Sequence, residues 1–459
     1  MESSDTMHHL DTMAADHSDP RFTTTEQKQK DQRTLLLGGT TCAVLGACWC
    51  VFYALIARYD LTAFFAVPSV LGLVALACAK RCVYIHVVLL ANAMLLLVVA
   101  MSAIDVPSAV VPRSAHLYLL PLAAASVFIF GGRSRYMGAV FPLLCLLAFV
   151  LFGSRMVGQG MQSMAPPAEA RFPWSVINNV VAVGLLAAVL LINRQDMMSK
   201  ARRTNDLARA IDRGQLVVLF QPQVDAAGSP IGAEALVRWL HPSRGLLSPH
   251  EFIPLAEETH LIRGLGLEVL RQACQTLAAW QQDPASRHLV MAVNVSTVQL
   301  NDPGFAASVE DVLRRTGAPA NRLELELTES ALSEDAGVAI EVMWVLRRLG
   351  VRWALDDFGT GYSSLSLLRA LPVQKLKVDR QFVLDAQLNG QGKRLLAKIV
   401  EISDILGLTA LAEGVESKEQ RDMLIEVGCR QFQGYYFSRP VGAQELEGRI
   451  ASIRHAALA

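Results

Sequence analysis

The residues best suited to chemistry are acidic and amide side chains that recur at the ends of short apolar runs in the second half of the chain. Glu234 opens Glu-Ala-Leu-Val-Arg, Asn294 lies in Val-Asn-Val-Ser, and Glu326 and Glu329 lie in Glu-Leu-Thr-Glu. Asp356 and Asp357 precede Phe-Gly-Thr-Gly, Lys377 and Asp379 lie in Lys-Val-Asp, Glu413 and Glu416 lie in Glu-Gly-Val-Glu, and Gln433 precedes Gly434-Tyr435. Acidic groups converging with an amide on one point would repel without a cation. An all-oxygen donor set favours magnesium or manganese over zinc. Adjacent carboxylates such as Asp356 and Asp357 could divide between two ions, the arrangement suited to in-line displacement at phosphorus. Singly, a strand-end Glu is more often a solvated group, and Asp-Asp before glycine more often a turn. The recurrence is what points to a metal-dependent enzyme acting on phosphate esters.

Such residues need a frame that brings strand ends together. Apolar runs at 217–224, 233–239, 289–295, 323–328, 352–356, 375–378, 410–413 and 431–437 are candidate strands, with helical patterns at 251–282, 336–349, 393–406 and 418–427 between them. This rhythm over roughly 250 residues predicts a TIM-like (βα)8 barrel, whose reactive face lies at the C-terminal ends of its strands. The second strand follows the first after a short turn at 225–230, so that pair should be a hairpin with one strand antiparallel to the rest. Strand alternation places Glu234 and Arg238 on one face, and likewise Lys377 and Asp379. The glycines of Phe-Gly-Thr-Gly lack the Lys-Ser/Thr of a phosphate-binding P-loop.

The first half has a different texture. Apolar stretches at 34–57, 61–79, 83–104, 115–131, 136–153 and 174–193 each approach the length needed to cross a bilayer, which predicts an α-helical membrane bundle of six spans. Lys80 and Arg81, Arg133 and Arg135, and Arg194, Lys200, Arg202 and Arg203 follow alternate spans. The positive-inside rule then puts both termini and the barrel in the cytoplasm. The domains expected are a disordered tail at 1–33, a membrane sensor or anchor at 34–193, a juxtamembrane linker at 194–206 and the barrel at 207–459. His86 and His116 are the main ionisable groups within the spans, fewer than a transporter needs, and a packed or interfacial role is expected for each. Six of the eight cysteines lie in the apolar half with no paired metal-ligand spacing. The net charge of zero gives no support to a nucleic-acid polymer as partner.

Glu234-Ala235-Leu236, taken with the run from Asp356 through Phe358-Gly359-Thr360-Gly361-Tyr362 to Ser364, strongly resembles the EAL family of cyclic di-GMP phosphodiesterases. The match runs from about Leu207 to Ser452 and includes Phe220-Gln221-Pro222 and Gln433-Gly434-Tyr435. The resemblance implies that Glu234, Asn294, Glu326 and Asp356 ligate one metal ion and Asp357 a second. It implies that Lys377 positions the attacking water, and that Glu413 is general base or binds metal through water. Gln433 would complete the site, Gln221, Arg238 and Asp379 would contact the dinucleotide, and Glu329 would brace the loop that couples the site to dimerisation. Expected on this basis are hydrolysis of cyclic di-GMP to pGpG with magnesium or manganese, a homodimer through the barrel, and residence in a bacterial-type inner membrane among its lipids. The rival expectation is a catalytically silent cyclic di-GMP receptor; a transporter regulated by the barrel is a weaker third. Too few residues separate the last span from the barrel for a GGDEF synthase module.

Overall fold

The structure is a computed structural model that describes residues 23–79, 84–107, 111–130, 134–154, 168–332, 336–359 and 365–458. The chain forms two compact units, divided between Arg202 and Arg203. In the first, among the described residues, five helices are long and apolar enough to cross a membrane: Leu35–Leu55, Tyr59–Ala79, Val87–Ile104, Tyr136–Gly153 and the apolar part of Arg171–Asp212.

Of the six stretches expected to span, the fourth is shorter than these five. The stretch at 115–131 is a 3-10 turn, Ala115–Tyr118, continued by the twelve-residue helix Leu119–Phe130. Its tight first turn follows from Asp105, whose Oδ2 accepts the backbone N–H groups of Ser114 and Ala115 at 2.7 and 2.8 Å. Arg113 is buried beside it, donating to the carbonyls of Asp105 and Phe152. His116 stacks on Phe149 at 5.1 Å, a packed role, whereas the side chain of His86 lies outside the described residues. Residues 23–33 of the expected tail are part of the helix Thr23–Leu55, and residues 1–22 lie outside the described residues. Small residues let the first two helices approach closely. A Cβ at Gly72 would lie 2.4 Å from the Ala43 backbone nitrogen and 2.6 Å from the Gly39 carbonyl oxygen, so a larger residue would force the helices apart.

The second unit is a closed barrel. Its strands are β1 Leu216–Asp225, β2 Pro230–His241, β4 Val290–Asn294, β5 Leu323–Thr328, β6 Arg352–Phe358, β7 Lys375–Val378, β8 Thr409–Ala412 and β9 Gln431–Gln433, with short β3 Gly245–Leu247 and β10 Val441–Gly442 added outside. β1 pairs antiparallel with both β2 and β9 and so closes the ring, while β2, β4 and their successors to β9 run parallel. The expected hairpin is present, and β1 is the odd strand.

The helical pattern at 251–282 folds as two helices, Pro249–Glu258 and Ile262–Trp280, because His260 adopts a left-handed φ of 57° between them. The expected strand at 431–437 stops at Gln433, where the chain wraps Val415: Val415 N–H donates to the Gln433 carbonyl, and Tyr436 N–H to the Val415 carbonyl, both at 3.0 Å. Helix starts are set by local chemistry. Ser248, Ser296 and Ser417 form capping boxes with Glu251, Gln299 and Gln420. Apolar side chains such as Leu277, Leu323, Trp353, Leu396 and Phe432 are fully buried, and they fix the strand ends that carry the polar groups.

Candidate active site

Parallel register brings the strand ends level. Asn294 lies opposite Glu326 across β4 and β5, and Thr328 opposite Asp356 across β5 and β6. Inside the ring four carboxylates meet on Lys377 of β7, whose side chain is 1% exposed. Its Nζ lies 2.6 Å from Glu326 Oε2, 2.6 Å from Glu413 Oε1, 3.3 Å from Asp356 Oδ1 and 3.4 Å from Glu234 Oε2. Asn294 Nδ2 donates to Glu234 Oε1 and Gln433 Nε2 to Glu234 Oε2, both at 2.6 Å. Glu234, Glu326 and Asp356 therefore converge on one ammonium, and Asn294 joins them through its bond to Glu234.

Alternation along a strand would send Asp356 and Asp357 to opposite faces. A register shift between β6 and β7 at this point, together with a φ of +54° at Asp357, turns both toward the mouth. Ligand oxygens of Asp356, Asp357 and Glu413 consequently all lie within 4.8 Å of one another.

Burial raises the Glu234 carboxyl, but the Lys377 charge and the amide donors of Gln433 and Asn294 outweigh it and hold the group below its ordinary range. Glu326 and Asp356 are pushed up, by burial first and then by the surrounding carboxylates, against the pull of Lys377. Glu413 is pushed well above its ordinary value by burial, with Asp356 and Glu234 adding to it. Burial alone would lower Lys377; the four carboxylates around it drive it well above the ordinary lysine value.

One ammonium thus faces four carboxylates, and the site remains acid-rich. Glu326 Oε1 is buried without a hydrogen-bond partner, and Glu413 Oε1 touches Lys377 but accepts no hydrogen bond of proper geometry. Such orphaned oxygens, in an all-oxygen cluster, fit a hard divalent cation.

A stability prediction follows. Burial, Asp356 and Asp379 push Asp357 up to about 6. A carboxyl raised in the folded state adds stability that is full below about pH 4 and is lost as the pH climbs through the folded value. In EDTA the barrel of the full-length protein should therefore melt lower at about pH 7 than at about pH 4, and magnesium should restore more at the higher pH. Melts followed by near-UV ellipticity would show it, and no gain from magnesium at neutral pH would contradict the cation reading.

The remaining expected residues surround this centre. Gln221 is buried and accepts from Gln433 Nε2 at 3.1 Å. Glu329 accepts the Gly359 N–H at 3.1 Å, which ties it to the start of the Phe-Gly-Thr-Gly loop; residues 360–364 lie outside the described residues. Arg238 is not drawn into the carboxylate cluster, and its Nη1 donates to the Val237 carbonyl at 2.8 Å. Asp379 caps the helix Arg380–Leu388 by accepting Gln381 N–H at 2.8 Å. Sequence reasoning missed Gln223, Glu324 and Lys375, which form a buried polar tier under the site. The signal was available: Glu324 and Lys375 precede Glu326 and Lys377 by two positions, the strand period that turns side chains to the same face.

The EAL domain family model matches residues 204–440. The chain is 42% identical over 258 residues to an uncharacterised signaling protein of Caulobacter vibrioides, covering 55% of this chain and 31% of that protein. It is 40% identical over 248 residues to MucR of Pseudomonas aeruginosa, a bifunctional diguanylate cyclase/cyclic di-GMP phosphodiesterase, covering 54% of this chain and 36% of that protein. The chain thus spans about a third of the length of these curated relatives. The solved PaMucR phosphodiesterase, in complex with c-di-GMP, superposes with a TM-score of 0.52 at 39% identity, over 53% of this chain and 99% of that one. An EAL enzyme in its cAMP and cyclic di-GMP bound form gives a TM-score of 0.53 at 27% identity, over 59% of this chain and 76% of that one.

Proposed function

The chain belongs to the EAL domain family, and from that premise we propose that it is a membrane-bound, divalent-metal-dependent phosphodiesterase that opens cyclic di-GMP to linear pGpG under control of its membrane half. The observation that carries this reading is the meeting of Glu234, Glu326, Asp356 and Glu413, from separate strands, on the buried Lys377. Barrel mouths of this kind carry chemistry, and an uncompensated excess of buried carboxylates calls for a cation.

Glu234, Asn294, Glu326 and Asp356 would hold one Mg2+ or Mn2+ and Asp357 a second, cations that, when bound, neutralise the phosphodiester and make water more acidic. Glu413 then receives the proton of the attacking water, a role suited to a carboxyl whose proton affinity burial raises. Lys377, held on four sides, positions that water. Arg238 binds phosphate through its planar fork, and Gln221 and Asp379 contact the dinucleotide. As the water oxygen bonds to phosphorus, the bond to the 3′ oxygen breaks, that oxygen takes up a proton from solvent to become a hydroxyl, and the ring opens. Gln433 keeps Glu234 aligned, and Glu329 braces the loop at Gly359.

For localisation we infer a bacterial-type inner membrane with both termini and the barrel cytoplasmic, embedded among membrane lipids. Support comes from the five long apolar helices and from the basic residues after alternate apolar stretches. Parity requires a sixth crossing. The segment Ala115–Phe130 is about 26 Å long by the rises of its two helix types, against a bilayer core of about 30 Å, so modest local thinning suffices. Exposed Val338 and Trp344, on the helix Ala336–Arg348, offer apolar surface for a homodimer through the barrel.

The test is product analysis. Full-length protein in detergent, incubated with cyclic di-GMP and magnesium or manganese, should release pGpG and should stop doing so in EDTA. Tight binding with no pGpG under either metal would overturn hydrolysis in favour of a receptor.

A further inference from the structure

Beneath the mouth lies a tier of polar side chains that the proposed chemistry leaves unused. Glu324 of β5 and Lys375 of β7 form an ion pair at 2.5 Å with side chains only 3% and 9% exposed. Lys375 Nζ also donates to Gln223 Oε1 at 3.2 Å, and Gln223 Nε2 donates to Gln433 Oε1 at 3.0 Å. Gln433 Nε2 in turn donates to Glu234 Oε2 at 2.6 Å. The chain of contacts thus runs from a buried cation on one side of the barrel to a carboxylate of the site.

Its direction is forced. An ammonium can only donate, so Gln223 must turn its oxygen to Lys375 and its amide nitrogen to Gln433. Gln433 must then present oxygen to Gln223 and nitrogen to Glu234. The far end agrees: Gln221 Nε2 donates to the Ser438 carbonyl, which can only accept, leaving Gln221 Oε1 for Gln433. A flipped Gln433 amide would set like groups against each other at both neighbours. A buried ion pair is a poor way to gain stability, since apolar side chains of similar volume would fill this tier as well. What apolar side chains cannot do is fix the sense of an amide relay.

We propose that Lys375 and Gln223 are positioning residues, the Lys375–Glu324 pair setting the hydrogen-bond sense of the Gln223–Gln433 relay and thereby holding Glu234 aligned as a metal ligand. This rests on the reading of Glu234 as a ligand to a divalent cation. Second-layer partners of this type typically change metal affinity or activity by about 10- to 100-fold when removed.

The test uses Gln223→Met in the full-length protein in detergent. This substitution keeps side-chain length, cuts the relay and leaves the Lys375–Glu324 pair in place. Mn2+ binding, followed by the loss of free-ion paramagnetic resonance signal, should weaken about 10-fold, with kcat falling more than KM rises. Should that variant fail to fold, the double variant Lys375→Met/Glu324→Leu removes the source of the polarity without leaving a lone charge, and the same weakening is expected. Mn2+ affinity within about twofold of wild type in a folded variant would overturn the inference alone, set against the expected effect. Absence of Mn2+ binding by the wild-type protein would instead remove the metal reading, and this inference with it.

Discussion

Glu234→Ala is expected to lower hydrolysis of cyclic di-GMP by ~1000-fold or more, equivalent to about 4 kcal/mol of lost transition-state stabilisation. The size of the effect comes from how many contacts end on this one carboxylate. Oε1 accepts from Asn294, Oε2 accepts from Gln433, and Lys377 Nζ lies 3.4 Å from Oε2. Lys377 and the two amide donors hold the group below its ordinary range against the opposing effect of burial, so it is an anion throughout the neutral range. Alanine removes the proposed anionic ligand and takes the acceptor from Asn294 Nδ2, while Gln433 Nε2 keeps only Gln221. The backbone should survive, because β2 is paired on both sides and alanine keeps the Cβ. Glu234→Gln separates charge from shape, since it retains an acceptor oxygen and the side-chain volume; it too should be severely impaired. Chromatographic quantitation of pGpG, with a melting curve for each variant, checks both. Near wild-type turnover in folded Glu234→Ala would sink the assignment of the site.

What could be read from residues alone followed strand periodicity. Glu326 and Lys377 were recognisable because each stands at the end of an apolar run, and the barrel then required their side chains to meet. Asp357 was recognised as a second carboxylate, yet the means of bringing it to the same face as Asp356 was not legible. A left-handed φ at an aspartate leaves no signature in composition, unlike one at glycine. The break at His260 was hidden for the same reason, with neither glycine nor proline at the corner. Charged Lys28, Lys30, Asp31 and Arg33 suggested a solvated tail, but charge does not distinguish a coil from the extension of a long apolar helix. The short apolar segment at 115–131 was legible as apolar but not as shortened. Its 3-10 start depends on Asp105, a carboxylate ten positions before Ala115, and hydropathy cannot register that contact. The tier of Glu324, Lys375 and Gln223 was overlooked because a charged residue deep in a barrel reads as improbable until its partners are seen.

Lys377→Met is expected to destabilise the barrel in EDTA by about 3–5 kcal/mol near pH 8, the usual consequence of removing one partner from a buried ionic cluster. With the ammonium gone, Glu234, Glu326, Asp356 and Glu413 lose the only cation that Glu326 and Glu413 contact among the described residues. Glu326, Asp356 and Glu413 already sit above their ordinary values by burial and mutual repulsion, and losing the lysine would raise them further. Their protonated forms are therefore favoured in the folded state, and the stability this confers is present at low pH and lost as the pH rises through the folded values. The penalty of the substitution should accordingly be small near pH 5 and large near pH 8. Manganese should narrow the gap in stability at the higher pH, since a bound cation replaces the missing charge. It should not rescue turnover, which would remain reduced by ~100-fold or more if, as proposed, Lys377 positions the water. Denaturant titrations at the two pH values, with EDTA or manganese, separate these effects. An equal loss of stability at both, indifferent to manganese, would mean that the carboxylates are not held as one cluster by this lysine.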